Sequence, residues 1–144
     1  MRRSKAEVYL HLVWATHNRH PWLTPDLVLP VYGCIEAVAR RLGCTVLAIG
    51  GMPDHVHLVI MLPPKRAIYL VPQQAKGASS KLAADLSRKQ GGRDDCLISW
   101  QEGYGVFSLS RADVPMAVKY VENQARHHAA GGGWGTLEEI NEEC

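Results

Sequence analysis

Apolar residues recur at two different periods along this chain, and the switches between them mark out its elements. "EVYLHLVWAT" (7–16) is dense in β-branched and aromatic residues and predicts a first strand. After the two-proline loop "THNRHPWLTPD", Thr24 takes the N-cap position of a helix with Pro25 as its first residue. "DLVLPVYGCIEAVARRL" keeps helical spacing up to Gly43, with Pro30 inside it as a point where the helix kinks or shortens. "CTVLAIGGM" and "HVHLVIML" predict two more strands, joined as a hairpin by a short turn around Met52 and Pro53. "PPKRAIYLVPQQ" reads as a loop or a single helical turn, and "QQAKGASSKLAADLSRKQ" as a helix ended by Gly91 and Gly92. Beyond the turn-rich "GGRDDCLISWQE", the stretch "GYGVFSLS" predicts a fourth strand. "DVPMAVKYVENQARHHAA" predicts a last helix, capped by Asp113 and stopped by Gly131–Gly133. This β-α-β-β-α-β-α order predicts an α+β fold: a ferredoxin-like (split βαβ) antiparallel sheet with an additional C-terminal helix. A single domain is expected over residues 1–130, then a Gly-rich and finally acidic tail over 131–144.

With 144 residues, 47% of them hydrophobic, the chain can bury one core but not two ordinary ones. No apolar stretch reaches the length of a membrane span. The start lacks the continuous apolar segment and cleavage site of a signal peptide, so a cytoplasmic protein of bacterial type is the expectation. A net charge of +2 creates no global field for nucleic acid. Locally the charge is uneven: Arg2, Arg3 and Lys5 open the chain, Lys76, Lys81, Arg88 and Lys89 cluster later, and "LEEINEEC" is acidic. Solvated faces and phosphate contacts both account for such runs. Cys34, Cys44, Cys96 and Cys144 have no zinc-ligand spacing and read as reduced, structural thiols.

The most apolar stretch, "GMPDHVHLVIML" (51–62), also holds two histidines. His55 and His57 are two apart on a strand, so both project from one face. A lone histidine in such a strand is usually a core residue with one hydrogen bond. Two on one face must each find a partner, and a shared divalent ion would serve both. Other His-x-His chemistries fail on the residues: Val59 stands where a histidine-triad hydrolase needs its third histidine. His57 stands where a two-histidine phosphodiesterase needs Thr or Ser, and Leu58, Val59 and Ile60 replace the Asp and His of a metallo-β-lactamase site.

On the last helix Val114, Ala117, Val118, Val121 and Ala125 form an apolar stripe at about 100° per residue. Tyr120 falls roughly 120° from its centre and Gln124 roughly 80°, neighbours at i and i+4. A phenol is a nucleophile and an amide oxygen a hard ligand, so the helix could complete a metal-assisted site. On this helix alone, a half-exposed tyrosine beside a solvated glutamine is the simpler reading.

Taken together, "YLHLVWATHNRHPWL", "GGMPDHVHLVI", "KGASSKL", "WQEGYGVFSLS" and "VKYVENQARHH", in that order, resemble the small single-tyrosine HUH transposases of bacterial insertion sequences, including the REP-associated tyrosine transposases. The likeness covers about residues 6–128. It implies His55, His57 and Gln124 as ligands of Mg²⁺ or Mn²⁺, and Tyr120 as the nucleophile that forms a 5′-phosphotyrosine on single-stranded, hairpin-bearing DNA. It also implies a homodimer joined edge to edge, with active sites shared between subunits. Asp54 is a candidate partner for a ligand histidine, or a turn former beside Pro53. Lys76, Lys81 and Arg88 are candidate phosphate contacts, whereas Trp14, Tyr104 and Phe107 read as sheet core. Two other readings compete. A non-catalytic nucleic-acid module with an RRM-like sheet would need aromatic residues on "HVHLVIML", which has none. A structural or metal-storage dimer would have no use for a tyrosine beside Gln124.

Overall fold

The computed structural model describes residues 4–91 and 98–124. The elements run β1 (Val8–Ala15), α1 (Pro25–Arg41), β2 (Thr45–Met52), β3 (His55–Leu62), α2 (Leu70–Lys89), β4 (Gly105–Leu109) and α3 (Val114–Glu122). The strands form one sheet in the order β2-β3-β1-β4, and every neighbouring pair is antiparallel. This is the ferredoxin-like α+β arrangement expected from the element order, with α3 as the added helix. The predicted extension of the last helix, with His127 and His128, and the boundary at residue 130 lie outside the described residues.

Alternation on β1 and β3 divides the core in two. Leu10, Leu12 and Trp14 join Val56, Leu58 and Ile60 on one face, packed against Val31, Ile35 and Val38 of α1 and Val71, Ala75 and Ala83 of α2. The opposite face carries His11, His55, His57 and Val59, and α3 covers it with Ala117, Tyr120 and Val121. Burial on both faces explains why β3 reads as a continuous apolar run and not as an alternating one. Pro30 does not break α1: it lies on the exposed side, and the helix continues through it to Arg41. α2 starts at Leu70, earlier than the periodicity predicts, because Pro72 falls within the first turn, where a missing N–H costs nothing.

The apolar stripe predicted for the last helix is rotated in the structure. The buried positions are Ala117, Tyr120, Val121 and Gln124, while Val114 and Val118 are only partly covered. Tyr120 is therefore a buried residue, 4% exposed, and the half-exposed reading of it is corrected. Spacing places apolar residues on the buried side by default, but here that side faces polar rings, which accept a phenol and an amide.

What lets α3 come so close is a glycine. Gly50 of β2 pairs with His57 of β3, and a Cβ placed on it would lie 2.3 Å from the carbonyl oxygen of Val121. Glycine inside a strand marks such close backbone approaches. Gly50→Ala is expected to lower stability by about 1–3 kcal/mol and to lift α3 from the sheet. Urea unfolding and amide hydrogen exchange along residues 114–122 check this; unchanged exchange would refute the role given to the glycine.

Candidate active site between the sheet and the last helix

Two backbone devices aim the histidines. The β2–β3 hairpin turns at Pro53 and Asp54, with Met52 paired to His55, so the turn residue Asp54 lies directly beside the first ring. Antiparallel pairing then sets His57 opposite Val13 and His11 opposite Val59, which makes His11 and His57 diagonal neighbours within side-chain reach. All three rings are at most 1% exposed. An imidazole nitrogen left idle in such a place costs about 1–3 kcal/mol, so the partners matter.

His55 Nδ1 lies 2.7 Å from Asp54 Oδ1. A carboxylate only accepts, so Nδ1 carries the proton and Nε2 carries the lone pair. That Nε2 is 3.4 Å from the amide nitrogen of Gln124. Asp54 Oδ2 accepts from Arg19 Nε at 3.2 Å. Burial raises the Asp54 pKa, but the hydrogen bond from the His55 ring and the Arg19 guanidinium outweigh it and hold the carboxyl below its ordinary range. His57 Nδ1 is 2.8 Å from His11 Nε2. Burial first, and the nearby His57 second, push the His11 pKa down to about 3, so His11 is neutral at physiological pH. The Tyr120 ring meets His57 edge-on at a centroid distance of 5.5 Å and His11 at 6.2 Å.

Of the residues singled out in the sequence, Tyr120, Gln124, His55, His57 and Asp54 thus converge, drawn from α3, β3 and the hairpin turn. The basic positions do not join them. α2 covers the opposite face of the sheet, where Lys76 Nζ donates to the Gln101 carbonyl at 2.9 Å and to that of Gly103. There Lys76 edges a cleft of about 710 Å³ lined also by Tyr69, Trp100 and Tyr104. Arg88 pairs with Asp85, and Lys81 is exposed. Trp14 is fully buried against Trp100, and Tyr104 packs on the same core. His11 and Arg19 escape the sequence reading; the available signal was a third histidine in an apolar strand, two positions from the similarly placed Val13.

A ligand set can be tested against these residues. Among the described residues, no three His, Cys, Asp or Glu side chains form a metal-holding group. The donors present are two imidazoles and a carboxamide. Both histidines have Nδ1 engaged, His55 by Asp54 and His57 by His11; an ion held here would be met by their Nε2 atoms. Rotating the Gln124 amide by half a turn would bring its oxygen to the same side. Nitrogen and oxygen donors of this kind suit Mg²⁺ or Mn²⁺ better than a closed thiolate zinc site.

A family model described as transposase, IS200 like, matches residues 4–124. The chain belongs to the IS200-like transposase family. It is therefore related to enzymes of DNA cleavage and strand transfer. The ISDra2 transposase TnpA of Deinococcus radiodurans is 28% identical over 131 residues, which cover 86% of this chain and 91% of that protein. A crystal structure of a transposase from Deinococcus radiodurans R1 is 25% identical, with a TM-score of 0.66 over 86% of this chain and 98% of that one. A REP-associated tyrosine transposase bound to a REP hairpin shares the fold at 17% identity, with a TM-score of 0.62 over 89% and 73% of the two chains. Among the described residues of this family member, no helix is long and apolar enough to cross a membrane.

The neutral, buried His11 has a measurable consequence. Below about pH 6.5 the unfolded chain protonates this histidine and the folded chain does not until about pH 3, so acid favours unfolding across that window. The metal-free protein is expected to lose stability as pH falls from 7 to 5, and His11→Gln to flatten the decline by up to about 1.4 kcal/mol per pH unit. Urea midpoints measured across that range check it, and parallel profiles would refute it.

Proposed function

We propose that this family member cuts and rejoins single-stranded DNA through a covalent 5′-phosphotyrosine on Tyr120, assisted by Mg²⁺ or Mn²⁺ held by His55, His57 and Gln124. One observation carries the reading: α3 and the residues just past its end set Tyr120 against the His57 ring and Gln124 against His55 within one buried site. When bound, the ion would supply Lewis-acid polarisation of the scissile phosphate. The residues do the rest. Tyr120 Oη attacks phosphorus, the O–P bond to the 3′ oxygen breaks, and the proton lost by the phenol ends on the released 3′-OH. One phosphate ester replaces another, so the bond energy is kept and the 3′-OH of a second strand reverses the step without ATP. Asp54 and His11 keep the two imidazoles oriented while charge builds on the phosphate.

A confined site between a helix and a sheet suits an unpaired strand, since a regular duplex would have to open to reach it. A hairpin beside the cleavage point is the expected partner, in line with the REP hairpin on the structural relative. Of the three candidate phosphate contacts Lys81 is exposed, whereas Lys76 and Arg88 would first have to release the Gln101 and Gly103 carbonyls and Asp85. β2 and β4 are the edge strands of the sheet, and pairing one of them with its copy would make the homodimer. The non-catalytic RRM-like alternative is disfavoured because α3 covers the sheet face that such a module would offer to bases.

Labelled single-stranded hairpin DNA with Mn²⁺ should yield a covalent adduct that survives denaturation. Tyr120→Phe should abolish the adduct and leave DNA binding nearly intact, and annealing the complement should slow cleavage. An adduct with the phenylalanine variant, or equal cutting of the annealed form, would overturn the reading. Light scattering should return twice the monomer mass.

A further inference from the structure

His11 is assigned no role by the reading of the sequence, yet it occupies the middle of the site. Its neighbours on β1, Leu10 and Leu12, are plain core residues, and it faces Val59 on one side and Phe107 on the other. An aliphatic side chain there would pack without a desolvation cost. The imidazole is retained at a place where its Nε2 lies 2.8 Å from His57 Nδ1. That contact mirrors the one between Asp54 and His55. The two differ in one respect: a carboxylate can only accept, whereas a neutral imidazole nitrogen either donates or accepts. The direction of the His11–His57 bond therefore decides where His57 carries its proton, and with it whether His57 Nε2 has a lone pair to give.

We infer that His11 is a positioning residue: its Nε2 accepts the Nδ1–H of His57 and so locks His57 in the tautomer whose Nε2 can ligate a divalent ion. The inference deepens the metal-site reading and rests on it, but it concerns a bond that exists without the ion. The site is then built from two unlike orienting groups. Asp54 brings a charge to His55, and His11 brings none to His57. The pair of ligands thus gains fixed orientation from both sides while only one carboxylate is added beneath a phosphate-binding site, where a second would repel the substrate.

The test uses full-length, metal-free protein with ¹⁵N-labelled histidine, the His57 ring signals being assigned by their loss in His57→Asn. Wild type should show His57 protonated on Nδ1. His11→Leu should shift His57 towards the Nε2–H form and weaken Mn²⁺ binding, read by calorimetry, by about 10–100-fold. His11→Gln, whose amide oxygen reaches about as far as the lost nitrogen, should recover the Nδ1–H form and most of the affinity. A wild-type His57 protonated on Nε2 would overturn the inference even if the leucine variant failed to fold, and so would unchanged Mn²⁺ affinity in a folded His11→Leu protein. An Nδ1–H His57 in a wild-type protein that takes up no Mn²⁺ would support the bond direction while sinking the metal reading.

Discussion

An imidazole has two nitrogens pointing away from each other, and inside a protein neither can be left idle cheaply. Placing three such rings on one face of a sheet interior therefore dictates much of what surrounds them. His55 draws Asp54 into the hairpin turn, and Asp54 in turn draws Arg19 out of the loop after β1. His57 draws on the neighbouring strand through His11. The net value of each bond is about 1 kcal/mol, but breaking one exposes the larger cost of a stranded polar group. The same logic fixes strand register: a slip of β3 by one residue would turn both of its rings into the aliphatic core under α1 and α2.

The half of the site contributed by α3 is held differently. Its ring, and the amide just past its end, are delivered by a short helix whose approach depends on a bare backbone at Gly50. Sheet hydrogen bonds on both sides of β3 make the histidines rigid, whereas α3 rests on Ala48, Val59 and a handful of side-chain contacts. The histidines and Tyr120 thus belong to parts of the molecule with different local stability.

The order of elements was legible because each strand and helix announces its own period and its own ends. The histidine pair was legible for the same reason, as two residues of one strand obey one alternation. His11 was not, because its link to His57 runs across β1 and β3, and the register that makes them neighbours is a product of folding. Tyr120 was misplaced by helical spacing, which ranks side chains by hydrophobicity and so rotates α3 away from its polar partners. Lys76 shows what charge alone leaves out: its ammonium also ties the loop at Gln101 and Gly103.

The near-complete burial of the Tyr120 ring has a kinetic meaning. On the proposed mechanism, a phosphodiester would reach so covered a residue only when α3 shifts away from the sheet. The frequency of that shift would then set a ceiling on turnover, whatever the speed of bond exchange. A small tyrosine-modifying reagent would meet the same barrier as the substrate. The rate at which it marks Tyr120 would therefore clock the opening itself, in the absence of any DNA.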